Sequence, residues 1–199
     1  MTPSLVRLQI IDTVSLDLPK THLLTEAFWL DLTPGIIEEC HAEGVNVKAA
    51  VHGASHALVS VASLWLQCDC TAELAVECPA SQEVVTRHTR ILAYDRNPGG
   101  LGVSYRAHSM LLQLLCTTLD VIRNCPCDSA IDNGGIRVVS RSGHARGAVD
   151  VSELDKGCPA CVQSSSCSEH NLVTSKSGAL FVLERIMQHL QQNPAASST

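Results

Sequence analysis

Apolar residues recur along this chain in two rhythms, alternating in short runs and then spaced by three or four, and each rhythm implies a different element. Residues 5 to 18, LVRLQIIDTVSLDL, partly alternate and are rich in β-branched types, the pattern of a strand or strand pair. LPKTHLLTEAFWLDLTPG then reads as a turn, a short extended piece holding Phe28 and Trp29, and a stop at Pro34-Gly35. From Ser55 the spacing becomes helical: Leu58, Val61 or Ala62, and Trp65 predict a helix over SHALVSVASLWLQ, with Ser55 as its N-cap. The acids, small residues and proline of QCDCTAELAVECPASQE read as a loop.

Residues 84 to 95, VVTRHTRILAYD, predict a strand that is interior from Ile91 onward and runs into the turn NPGGLG. The stripe Leu112, Leu115, Leu119 and Ile122 makes Val103 to Asn124 a helix, the longest expected, with Arg123 placed well for its C-terminal dipole. Residues 128 to 156 lack periodicity and read as an insertion loop, with a small hairpin around IRVVS. A last amphipathic helix carries Ala179 or Leu180, Leu183, Ile186 or Met187, and Leu190. It is capped at Ser175 to Ser177 and ends before Asn193-Pro194, leaving residues 194 to 199 as a disordered tail. The sum is an α/β (α+β) fold, one domain over residues 1 to 193, with a mixed sheet, packed amphipathic helices and no internal repeat.

Composition narrows what such a domain does. At 199 residues it can bury a core without staples, so its ten cysteines are not needed to hold a tiny fold together. The N-terminus lacks a basic-then-apolar secretory pattern, which places the chain in an intracellular, reducing setting, cytoplasmic or nuclear. No segment approaches the ~18 to 20 uninterrupted apolar residues of a membrane span, and no membrane partner is expected. A net charge of −6 argues against gripping nucleic acid over the whole surface, and 3% aromatic residues argue against stacking platforms for single-stranded bases.

The chemistry concentrates in GCPACVQSSSCSEHN, which holds Cys158, Cys161 and Cys167. A structural zinc ion takes four ligands in a tetrahedron, and a C-x-x-C turn presents two of them; Cys158 and Cys161 supply that turn, and Cys167 follows. The fourth candidate lies in Cys125-Pro126-Cys127. Cys127, nearer the loop and freer of the helix, is preferred, with Cys125 the alternative, because lengthening a loop adds closure entropy only slowly. A redox dithiol at Cys158 and Cys161 is the competing reading; thiols of this spacing are activated at a helix N-terminus, whereas these lie late in a cysteine-rich loop. Cys40, Cys68, Cys70, Cys78 and Cys116 read as core or loop thiols, with a second metal at Cys68, Cys70 and Cys78 as the alternative. The histidines, among them His52, His56, His88, His108 and His144, show no H-E-x-x-H pairing and read as core or surface residues; His170 is the one near the cysteine cluster.

The P-G-G-x-G turn at Pro98 to Gly102 opens a helix and could present backbone N–H groups to a phosphate, or need glycine for geometry alone; it lacks dinucleotide-fingerprint spacing. Neither a G-x-x-x-x-G-K-[ST] loop nor a nucleophile elbow is present in this chain, so no active site assembles from motifs.

Several separated stretches share one resemblance. HGASHALVS, QCD, ILAYDRNPGGLGVSYRA, CPC and GCPACVQSSSCSEHN are together similar to the MrfA-type zinc-binding domain, MZB, found at the C-terminus of DEAD/DEAH-box superfamily 2 DNA helicases. The carrying residues are His56-Ala57-Leu58, Tyr94-Asp95, Pro98-Gly99-Gly100 and Cys158 to Ser164, and LTEAFWLDLTP resembles the segment that precedes the domain. The chain departs from the pattern in its long Cys127 to Cys158 loop, an extra serine before Cys167, and Ser168 in place of glycine. The resemblance implies a four-cysteine zinc site, Cys127, Cys158, Cys161 and Cys167, in a non-catalytic accessory domain. Such a domain packs on helicase motor domains in cis or in trans, touches DNA through the motor, and supports ATP-dependent unwinding in DNA repair. The alternatives are a thiol-disulfide oxidoreductase using Cys158 and Cys161, and a protein-interaction module without DNA affinity.

Overall fold

The computed structural model describes residues 19, 22–78, 89–128 and 155–192. The expected strand over residues 5 to 18, most of the insertion loop, and the C-terminal tail lie outside the described residues.

Strand β1 (Ala27–Asp31) alternates exposed and buried positions, so Phe28 and Leu30 face inward and Trp29 faces out. Pro34-Gly35 does end the extended piece, but the same proline opens helix α1 (Pro34–Ala42), where its missing N–H costs nothing, and Thr33 Oγ1 accepts from Ile36 N–H at 3.4 Å. Helix α2 (Val47–Leu66) starts well before the expected Ser55: Asn46 is the N-cap, its Oδ1 accepting from Ala49 N–H at 3.1 Å. Ser55 is instead buried mid-helix and donates its hydroxyl to Val51 O at 2.7 Å. The first half of α2, rich in alanine with Gly53 and two histidines, carries no apolar stripe because almost every face is covered.

Within the segment read as a loop, a three-residue strand β2 (Leu74–Val76) forms, and β3 (Arg90–Asp95) follows the undescribed residues 79–88. The sheet order is β1-β3-β2, with Phe28 opposite Ala93, Leu30 opposite Ile91, and Ala75 opposite Tyr94. β3 is therefore the interior strand, as its apolar run implied. Both pairings are antiparallel among the described residues, where a mixed sheet was expected.

The expected helix from Val103 to Asn124 is two helices, α3 (Val103–Ser109) and α4 (Leu111–Arg123), broken at Met110, whose φ of −118° leaves the helical region. Helix α5 (Lys176–Gln192) completes the domain where expected. Helix α2 is the central element, packed on α5, α4 and the sheet. By length and composition it could cross a membrane, against the expectation that no segment approaches this, yet 78% of its apolar window is buried inside the fold. Leu58, Leu74, Ile91, Leu115, Ile122 and Leu183 are fully enclosed where these elements meet. Gly53 allows the crossing: a Cβ there would stand 3.0 Å from Ser175 O, so α2 and the start of α5 approach backbone to backbone, with Ser175 N–H donating to Ala49 O at 3.2 Å.

Candidate metal centres

Among the described residues two groups of donor atoms emerge, and the first gathers at the junction of α4 and the loop before α5. Helix α4 ends at Asn124, and the chain turns through Pro126–Asp128, so Cys125 and Cys127 leave the helix end together. Opposite them, Cys158 to Cys161 form a tight turn in which Cys161 N–H donates to Cys158 O at 3.0 Å and Cys158 N–H donates to Cys161 Sγ at 3.2 Å. Gly157 makes that turn at φ +66°; a Cβ there would come within 2.3 Å of Val162 Cγ2.

The sulfurs of Cys125, Cys127, Cys158 and Cys161 all lie within 4.8 Å of one another. Cys125 to Cys158 measures 3.4 Å, Cys127 to Cys161 3.8 Å and Cys158 to Cys161 3.7 Å. A tetrahedron with metal–sulfur bonds of ~2.3 Å has sulfur–sulfur edges of ~3.8 Å, so the four thiols stand at zinc-site spacing. All four are free thiols, too far apart for sulfur–sulfur bonds. Lys176, 2% exposed, brings its Nζ to 3.4 Å from both Cys127 Sγ and Cys125 O. Its ammonium would offset part of the negative charge of four metal-bound thiolates in a half-buried site.

Burial pushes the Cys161 thiol up to about 12, and burial likewise raises Cys127. Burial also opposes ionisation of Cys125, but hydrogen bonds from the Cys127 backbone and from neighbouring thiols outweigh it and hold that thiol below its ordinary value. Burial therefore opposes ionisation of Cys127 and Cys161, a cost that a bound cation would offset. What sets this group apart from a simple dithiol is its geometry: four thiols converge where a redox pair needs two.

Of the expected ligands, Cys127, Cys158 and Cys161 come together, and Cys125 joins them rather than competing with Cys127. Cys167 does not. It stands with His52, His56 and Cys78 in the second group, whose ligand atoms also lie within 4.8 Å of one another. Cys68 and Cys70, the alternative metal partners of Cys78, are outside both groups.

His52 and His56 are one helical turn apart on α2, on the same face. His52 Nδ1 lies 2.8 Å from Val173 O and His56 Nδ1 3.2 Å from Val162 O, contacts that place the proton on Nδ1 and leave each Nε2 a lone pair. Those Nε2 atoms face sulfur: His52 to Cys167 Sγ at 3.4 Å, and His56 to Cys78 Sγ at 3.5 Å. Both imidazoles are buried, and burial lowers both pKa values; for His56, with His52 adding repulsion, the value falls to about 4. The pairing escaped the sequence because the helix was expected to begin at Ser55. His52 then lay outside it, and the i, i+4 relation, the available signal, did not arise.

The P-G-G-x-G turn serves geometry. Its N–H groups already hold an anion of the chain's own, the fully buried carboxylate of Asp95. Leu101 N–H donates to Asp95 Oδ2 at 2.6 Å, Val103 N–H to the same oxygen at 3.2 Å, and Ser104 N–H to Oδ1 at 2.7 Å. Burial works against the Asp95 carboxylate, yet these bonds prevail and hold its pKa below the ordinary value.

The family model of the MrfA Zn-binding domain matches residues 54–162, a span that contains the whole sulfur group. The chain belongs to the MrfA Zn-binding domain family. It is 27% identical over 194 residues to the ATP-dependent helicase HRQ1 of Saccharomyces cerevisiae, an alignment covering 93% of this chain. It is 24% identical over 196 residues to the ATP-dependent helicase hrq1 of Schizosaccharomyces pombe, covering 91% of this chain. This MZB chain spans only 15% and 16% of the length of those two relatives. Among solved structures, a crystal structure of the DUF1998 helicase MrfA bound to DNA aligns over 85% of this chain and 18% of its own, with 19% identity and a TM-score of 0.49.

Proposed function

We propose that this MZB domain is a zinc-stabilised accessory unit of an ATP-dependent helicase, joined to the motor in cis or bound to it in trans, acting inside the cell on DNA under repair. The relatives matched are named ATP-dependent helicases, and the chain corresponds to a minor share of each. ATP hydrolysis then belongs to the motor, and this domain supplies a rigid body against which a separated strand is held. Its net charge of −6 suits contact with DNA through the motor rather than over its own surface.

The observation that carries this reading is the set of four sulfurs at tetrahedral spacing. Cys125, Cys127, Cys158 and Cys161 would hold the zinc ion. Bound there, zinc acts as a structural cross-link with no open position for substrate. It would tie the end of α4 to the chain entering α5, two elements that already share the core with α2.

A chimeric helicase tests the function. Replacing the aligned segment of the Saccharomyces cerevisiae HRQ1 helicase with this chain should retain DNA-strand displacement, and Cys158→Ser in the chimera should reduce displacement at least about tenfold while sparing ATP hydrolysis, the loss expected when a structural ligand is removed. Equal displacement with and without Cys158→Ser would overturn the zinc-dependent role.

A further inference from the structure

We propose that His52, His56, Cys78 and Cys167 form a second metal site, a buried tetrahedral Cys2His2 centre for a zinc-type divalent ion, separate from the four-sulfur group. Bonds of ~2.3 Å to sulfur and ~2.0 Å to nitrogen imply sulfur–nitrogen edges of ~3.5 Å in a tetrahedron. The two such edges seen here, His52 Nε2 to Cys167 Sγ and His56 Nε2 to Cys78 Sγ, measure 3.4 and 3.5 Å.

The surroundings are built for ligation. Each imidazole is anchored through Nδ1 to a backbone carbonyl, the outer hydrogen bond that metal-bound histidines almost always make. Asn171 N–H lies 3.3 Å from Cys167 Sγ and can donate to a thiolate, and Ser168 hydrogen-bonds Cys78. Asn171 itself is fixed by its side-chain amide, which accepts from Ser164 N–H at 2.9 Å and donates to Ser164 O at 2.8 Å. A small cavity lined by His56, Cys70, Cys78, Arg96, Ser164 and Ser166 lies alongside two of the four donors.

Charge and chemistry agree with burial. Binding takes one divalent ion, deprotonates the Cys78 and Cys167 thiols, leaves both histidines neutral, and releases two protons. The product, two thiolates and a dication, is uncharged, so it can sit against the buried His52, His56 and Cys167 and the half-buried Cys78 without a compensating ammonium. The four-sulfur group, by contrast, keeps a net negative charge when loaded and has Lys176 beside it. The second centre would fasten the middle of α2 to the end of β2 and to the loop following the first, so that the segment from Cys158 to Cys167 is pinned at both ends.

Metal content and cobalt spectra of the full 199-residue chain, purified without chelator, decide this. The wild type should carry about two zinc equivalents, and Cys78→Ser should lower that to about one, with Cys158→Ser lowering it independently to about one. Cobalt-loaded wild type should show two sets of tetrahedral ligand-field bands, the higher-energy set from mixed nitrogen and sulfur ligands. That readout holds even if Cys78→Ser fails to fold. One equivalent, lost in Cys158→Ser, with an all-sulfur cobalt spectrum, would overturn the second centre and leave the first intact. One equivalent with only the mixed-ligand spectrum would uphold the second centre and sink the first. Less than half an equivalent, or a Cys78–Cys167 disulfide trapped by alkylation, would overturn the second centre.

Discussion

The sheet side of this domain and its cysteine side solve the same problem of convergent polar atoms in opposite ways. Around Asp95, backbone N–H groups of the glycine turn and the first turn of α3 converge on a carboxylate supplied by β3, so donor and acceptor come from one chain. Around Cys161 the converging atoms are all thiols, burial opposes the ionisation of Cys127 and Cys161, and on the proposed reading a cation from outside completes them. On that reading one side closes on folding alone, the other on folding plus metal. A domain built this way can keep its sheet and lose its clasp.

Breaking the metal side should have the largest effect. Cys161→Ala, or zinc removal by a strong chelator, is expected to cost about 5 kcal/mol or more and to lower the unfolding midpoint by roughly 10–20 °C, read by thermal circular dichroism. Hydrogen exchange should localise the loss to residues 155 to 176 and the end of α4, with β1 and β3 still protected.

Asp95→Asn comes next. Asparagine offers one acceptor oxygen where the carboxylate offers two, and the charge assistance disappears, so urea denaturation should show a loss of about 3 kcal/mol, unchanged by added zinc. Its pH signature is distinct. Because the folded pKa is depressed, the unfolded chain takes up the proton first as pH falls; the contribution is complete above about pH 4 and is lost as pH drops through the folded value. The stability gap between wild type and Asp95→Asn should therefore narrow below about pH 4. A gap that widens there would contradict the assigned role of the turn.

Lys176→Met sharpens the charge argument. Removing the buried ammonium beside Cys127 should weaken zinc binding by about 10- to 100-fold in a competition titration, with the fold retained at saturating zinc. The smallest effect belongs to the sheet surface: Arg90 pairs with Asp31 at 2.5 and 2.7 Å and lies over the Trp29 ring at 5.5 Å, yet both partners are solvent-facing. Arg90→Ala should cost about 1 kcal/mol or less in the same denaturation assay.

These contrasts also explain what could be read in advance. The strand at Ile91 to Asp95, the cap of α5 and the Leu115, Leu119 and Ile122 part of the α4 stripe follow from periodicities that packing respects, whereas the expected Leu112 is exposed and Leu111 and Leu114 are buried in its place. Helix α2 breaks that rule: it is covered nearly all round, so its first half shows no stripe, and its true start at Asn46 and the His52–His56 pair were hidden with it. The C-x-x-C turn was legible because its geometry is local, whereas the partition of cysteines between two groups depends on where α2 lies. Cys167 is only six residues from Cys161, yet the chain turns at Ser164 and carries it to the histidines of α2 instead.

Anomalous diffraction at the zinc edge, on crystals of the full chain, tests the central claim most directly. The account predicts a peak bonded at ~2.3 Å to the sulfurs of Cys125, Cys127, Cys158 and Cys161, joining the end of α4 to the loop before α5. A peak bound by Cys127, Cys158, Cys161 and Cys167 with Cys125 turned away, or no peak at the four-sulfur group, would contradict it.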